Sequence, residues 1–111
     1  MLALHSEERI WLDEYRQALI EQRPGAVLRM LVYGSKARGD AHEDSDIDVL
    51  LVLKNEARRL TRPLRHIGYD LAATSYAVPS IMAYTQAEWD RLKALRSAYR
   101  EAVERDGVDV L

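Results

Sequence analysis

The sequence predicts an α/β (α+β) fold in which a small mixed sheet is packed with helices. Three observations carry that expectation: short, nearly continuous apolar runs, helical periodicity between them, and Gly or Pro where the pattern changes. A chain of 111 residues has room for one domain, spanning 1–111. With 48% hydrophobic and 31% charged residues it can bury a core, which sets it apart from disordered chains.

The elements follow in order. From His5 to Gln22, Ile10, Trp11, Tyr15, Ala18, Leu19 and Ile20 recur at helical spacing, and Arg23-Pro24-Gly25 ends the pattern. Ala26–Tyr33 is apolar apart from Arg29 and short enough for a buried strand. Gly34–Ala41 suits a tight turn into a short helix, and Asp40–Ser45 a polar loop. Ile47–Leu53 is the most strand-like run in the chain. Pro63 fits the first turn of a helix reaching about Ser75, with Leu64, Ile67, Leu71 and Ala72 on one face. Val78–Tyr84 reads as a third strand, and Pro79 places it at an edge or marks its beginning, because proline cannot donate to a ladder. Thr85 caps a helix carrying Trp89, Leu92 and Leu95. A second helical stretch from about Ser97 to Arg105 stops at Asp106-Gly107, and Val108–Leu111 forms an extended tail.

Charge and composition narrow the chemistry. Cysteine is absent, so thiolate metal sites and disulfides are excluded and any metal must be held by oxygen or imidazole. No run is long enough for a membrane span and the first residues are acidic, which makes a cytoplasmic protein the simplest reading. The net charge of −2 argues against bulk nucleic-acid binding. It conceals an acidic block (Asp40, Glu43, Asp44, Asp46, Asp48) followed by a basic one (Lys54, Arg58, Arg59, Arg62, Arg65). The basic block reads more readily as a solvated helix start than as a phosphate surface. Trp11 and Trp89 read as core or groove anchors, the four tyrosines Tyr69, Tyr76, Tyr84 and Tyr99 as buried rings with hydroxyls at a wet edge, and the histidines, His42 among them, as surface groups.

The informative stretch is Gly34-Ser35-Lys36-Ala37-Arg38-Gly39-Asp40, followed eleven positions after Ser35 by Asp46-Ile47-Asp48. Residues two apart in a strand share a face, so Asp46 and Asp48 converge while Ile47 and Val49 turn to the core. One or two carboxylates are what Mg²⁺ usually takes from a protein, the rest of its shell being phosphate and water, and Asp46 and Asp48 supply such a pair. Gly34 lets the backbone approach a phosphate closely, and the Ser35 hydroxyl and the first amides of the following helix can donate to its oxygens. Lys36 and Arg38 are candidates for phosphate contacts too, with Arg38 alternatively pairing with Asp40 or Asp44. Loop carboxylates that merely solvate a strand entrance are the bland alternative for Asp46 and Asp48.

These motifs resemble the signature of the DNA polymerase β-like nucleotidyltransferases: Gly-Ser, an Ala-Arg-Gly step, then Ser-Asp-Ile-Asp entering an apolar strand. The match is close over about residues 30 to 53. The resemblance implies the nucleotidyltransferase fold, Asp46 and Asp48 as catalytic Mg²⁺ ligands, Gly34, Ser35 and Arg38 as nucleotide-binding residues, and a nucleoside triphosphate, ATP above others, as substrate. Among small members it is similar to the minimal nucleotidyltransferase (MNT) antitoxin of two-gene toxin modules, which implies transfer of AMP to a hydroxyl of an all-helical HEPN-type toxin partner and a homo- or hetero-oligomer. Active members carry a third carboxylate on the next strand. Here Tyr76–Tyr84 contains no Asp or Glu, and Asp70, Glu88 and Asp90 fall on the neighbouring helices. An antitoxin that acts by occlusion, with weak or no turnover, is therefore the alternative expectation, and a truncated RNA nucleotidyltransferase a more distant one.

Overall fold

The computed structural model describes residues 2–41 and 46–111. The N-terminal helix α1 (Ser6–Gln22) leads into β1 (Val27–Tyr33), the four-residue helix α2 (Ser35–Arg38) and β2 (Ile47–Leu53). A 3-10 segment (Asn55–Leu60) and α3 (Thr61–Ala72) carry the chain to β3 (Pro79–Thr85). Helices α4 (Gln86–Ala94) and α5 (Ala98–Asp106) precede a two-residue strand β4 (Val108–Asp109). The four strands form one mixed sheet in the order β3-β2-β1-β4. β1 runs antiparallel to β2 and β4, and β2 parallel to β3, so the 3-10 segment and α3 supply the crossover that a parallel pair requires.

The sheet divides the interior. On one face Trp11, Leu12, Tyr15 and Leu19 of α1 and Leu64 of α3 bury against Met30, Val32, Ile47, Val49, Leu51 and Ile81. On the other, Trp89 of α4 and Val103 of α5 cover Leu31, Leu50 and Val52. β2 is thus buried from both sides beyond Asp48, which is why Val49–Leu53 is continuously apolar instead of alternating. Each buried aromatic also satisfies its polar atom: Trp11 Nε1 donates to the Gly68 carbonyl (2.9 Å) and the Tyr15 hydroxyl to the Leu64 carbonyl (2.8 Å). These two bonds fix α1 against α3, and Gly68 leaves no room for a Cβ, which would meet Ile81 Cδ1 at 2.5 Å.

β3 is an edge strand, as Pro79 implies. Its outward backbone is not bare: the Ile81 amide donates to the Tyr69 hydroxyl (2.9 Å) and its carbonyl accepts from Arg65 Nε (2.9 Å). Arg65 is therefore a structural residue, whereas Arg58, Arg59 and Arg62 are exposed.

Several boundaries differ from expectation. The crossover helix begins at Thr61, so Pro63 is its third residue, still in the turn whose amides lack internal acceptors. It stops at Ala72, where Ser75 closes a turn by returning its amide and hydroxyl to the Ala72 carbonyl (3.0 and 3.2 Å). The 3-10 segment, unforeseen, forms because Ala57 is buried and Thr61 Oγ1 donates back to Arg58 (2.8 Å). No helix among the described residues is long and apolar enough to cross a membrane.

Candidate functional site

The site grows from the junction between β1 and α2. Tyr33 ends β1, and Gly34 then adopts φ 72° and ψ −152°, a region open essentially to glycine alone. Its carbonyl accepts from the amides of Ala37 (3.1 Å) and Arg38 (3.0 Å), so the bonding of α2 starts there and the amides of Ser35 and Lys36 lie ahead of the first bonded turn. A Cβ added at Gly34 would collide with Oδ2 of Asp48. The turn and the carboxylate are therefore in direct apposition, a closeness that only glycine permits.

Asp48 sits on β2 with Tyr33 of β1 opposite on one side and Ser80 of β3 on the other. It is half-buried, and exposed Asp46 lies two residues earlier. Burial pushes the Asp48 carboxyl above its usual range, the Asp46 charge pushes it further, and Arg38 opposes both. Such a pair is an oxygen-only, like-charged donor set, whose repulsion a hard divalent cation relieves. Protons and such a cation would compete for the same oxygens. Because the Asp48 pKa is raised, its neutral form is favoured in the fold, so the ion-free protein loses that contribution as pH rises through the raised value. Cation binding moves oppositely: Mn²⁺ affinity read by electron paramagnetic resonance is expected to fall on acidification, starting above the ordinary aspartate range of about 4. Affinity that stays flat down to that range would contradict a cation on Asp48.

Of the residues singled out from sequence, the structure brings Gly34, Ser35, Arg38, Asp46 and Asp48 together at this end of β1 and β2. Ser35 is half-buried at the first position of α2. Arg38 projects to the surface and bridges Asp40 (3.2 Å) and Asp106 at the end of α5 (3.6 Å), so the first of its two expected carboxylate partners is the observed one. The second, Asp44, and His42 lie outside the described residues. Lys36 is a correction: it is no phosphate contact, being 1% exposed and paired at 3.0 Å with Glu8, itself 6% exposed. Helical geometry decides this, because one position after Ser35 the side chain turns inward beneath α1.

The expected gap on the third strand is real in position. Ser80 occupies the place beside Asp48, and the acidic residues on nearby helices have other engagements. Asp70 pairs with His66 on the outer side of α3 (3.7 Å), Glu88 accepts from the Thr85 amide in a capping box (2.9 Å), and Asp90 accepts from Gln86 (2.9 Å). Among the described residues, no three of His, Asp and Glu converge. Sequence reasoning missed Asp106, for which no local signal exists, and Tyr33, whose place immediately before Gly34 was the available clue.

Comparison with known proteins bears on the family and the fold. The model of the nucleotidyltransferase domain family matches residues 12–105. A "putative protein adenylyltransferase" of Methanocaldococcus jannaschii is 42% identical over 41 residues, a stretch spanning 37% of this chain and 41% of that protein. The chain thus matches about two-fifths of that relative's length. The crystal structure of a "putative nucleotidyltransferase" from Sulfolobus solfataricus superposes with a TM-score of 0.59 at 22% identity, covering 94% of this chain and 81% of the other, and shares the fold. With the family model spanning most of its length, the chain belongs to the nucleotidyltransferase domain family.

Proposed function

We propose that this domain is a Mg²⁺-dependent transferase that moves AMP from ATP to a hydroxyl of a macromolecule, in the cytoplasm. The observation that carries the reading is the apposition of the Gly34 turn and the Asp48 carboxylate, which would put hydrogen-bond donors for a phosphate beside a ligand for the cation. A Mg²⁺ held by Asp46 and Asp48 would neutralise the phosphate oxygens and so favour attack at phosphorus. The chain's own part is to hold and orient. The Ser35 hydroxyl and the amides opening α2 receive phosphate oxygens, and Arg38 exchanges its carboxylates for them. In the transfer the acceptor oxygen bonds to the α-phosphorus and loses its proton, while the bond from that phosphorus to the departing pyrophosphate breaks.

A protein acceptor is favoured by the similarity to the Methanocaldococcus "putative protein adenylyltransferase" and by the acidity of the site, which repels a polynucleotide. The partner we propose is a small all-helical HEPN-type toxin, with which the domain forms a hetero-oligomer. The second reading, occlusion of that partner without turnover, is favoured by Ser80 standing where a third carboxylate would complete the site. Intact mass after incubation with Mg²⁺, labelled ATP and the protein encoded by the neighbouring gene separates them. The transferase predicts a gain of one nucleoside monophosphate that disappears in Asp46→Ala and Asp48→Ala. Binding of Mg²⁺–ATP with no gain in mass would support occlusion instead.

A further inference from the structure

The sheet face that carries Asp48 also carries Tyr33, its neighbour across the β1–β2 pairing, and both are half-buried. The Tyr99 hydroxyl, from α5, donates to the Tyr33 hydroxyl at 3.0 Å, with the two rings edge-on and centroids 5.8 Å apart. Tyr99 is held in turn by Trp89, edge-on at 6.2 Å, and by Tyr84 at 6.3 Å. These rings pack around the donor. A hydroxyl that accepts a bond retains its own proton to give. With one lone pair of Tyr33 taken by Tyr99, that proton is turned away from Tyr99, and no acceptor among the described residues receives it.

The electrostatics favour a permanent donor. A phenol hydroxyl is uncharged near neutral pH and has one proton to give. A neutral donor suits this place: it can meet an anionic oxygen without competing, as a lysine would, for the carboxylates that hold a cation. A phosphate received by the turn that begins at the next residue, Gly34, would bring such an oxygen to this end of β1.

We propose that Tyr33 is a nucleotide-binding residue, its hydroxyl oriented by Tyr99 to donate to a phosphate oxygen of the cation-bound triphosphate; this rests on the reading of Asp46 and Asp48 as a Mg²⁺–nucleotide site. Tyr99 acts through Tyr33 and is a positioning residue.

Calorimetric titration of the whole chain with Mg²⁺–ATP, and with Mg²⁺–tripolyphosphate as a probe lacking base and sugar, tests the assignment. Tyr33→Phe keeps the ring and is expected to weaken both ligands about tenfold, as for one hydrogen bond to a charged group. Tyr99→Phe should weaken both by about threefold, and the double variant should bind no worse than Tyr33→Phe, because the two hydroxyls act in series. Unliganded thermal midpoints check that Phe preserves the packing. If Tyr33→Phe binds like the wild type while Asp48→Asn does not, the donor role is overturned and the nucleotide site stands. A loss confined to ATP overturns the assignment to phosphate, and additive losses overturn the orienting role of Tyr99. A wild type that binds neither probe overturns the nucleotide site and this assignment together.

Discussion

Gly34→Ala is expected to cost about 3 kcal/mol of stability and to weaken Mn²⁺ binding by at least about tenfold. Two penalties combine. The backbone at φ 72° and ψ −152° excludes a Cβ-bearing residue, and the added methyl would lie on the Asp48 carboxylate. Relief of either one aggravates the other: relaxing φ swings the turn out of register with α2, and moving Asp48 displaces the carboxylate proposed to face a cation. Urea unfolding and Mn²⁺ titration on the same variant measure the two effects. A variant within about 0.5 kcal/mol of wild type with intact Mn²⁺ affinity would mean that this contact does not exist in solution.

Lys36→Ala is expected to be of similar size for a different reason. The substitution leaves the Glu8 carboxylate, 6% exposed, without its cation, and breaking one side of a buried pair costs about 3–5 kcal/mol. Replacing both partners, as Glu8→Leu with Lys36→Met, should recover most of that loss, since two apolar side chains also avoid the desolvation penalty. Recovery should fall short by about 1 kcal/mol, because Glu8 Oε1 also accepts from the His5 amide (2.9 Å) at the start of α1. Denaturant midpoints of the wild type, the single variant and the double variant give the cycle. Were Lys36 a phosphate ligand instead, the double variant would keep its stability deficit small and lose triphosphate affinity outright.

Sequence alone disclosed the architecture wherever local pattern and burial agree. Val49–Leu53 is apolar on both faces because helices cover both, and the bounds of its strand, Ile47–Leu53, coincide with the expected ones. Thr85 caps α4 as expected, accepting from the Glu88 amide at 3.2 Å, and Ser97 does the same for α5. Pro79 correctly marked an edge. The pattern failed where a tertiary partner decides the outcome. Nothing near Lys36 announces Glu8, 28 positions earlier, and nothing near Arg38 announces Asp106 at the far end of the chain. The 3-10 segment eluded periodicity because its polar residues carry no stripe and only Ala57 is buried. For the candidate site, spacing was enough to place Gly34 beside Asp48, because strand pairing converts a short loop into proximity. It could not reveal Tyr99, whose approach to Tyr33 depends on how α5 lies across the sheet.

The capped rim of β3 has a consequence for encounters with other chains. An open strand margin is an invitation to any extended polypeptide, since its unpaired amides and carbonyls offer a ready ladder. Here Tyr69 and Arg65 occupy the middle rungs and Pro79 removes one at the beginning, so an incoming strand would have to evict two side chains to gain a few weak rungs. Recognition at this flank is thereby left to side-chain shape and charge, a discriminating kind of contact, and the domain is guarded against the indiscriminate zippering by which small sheets coalesce.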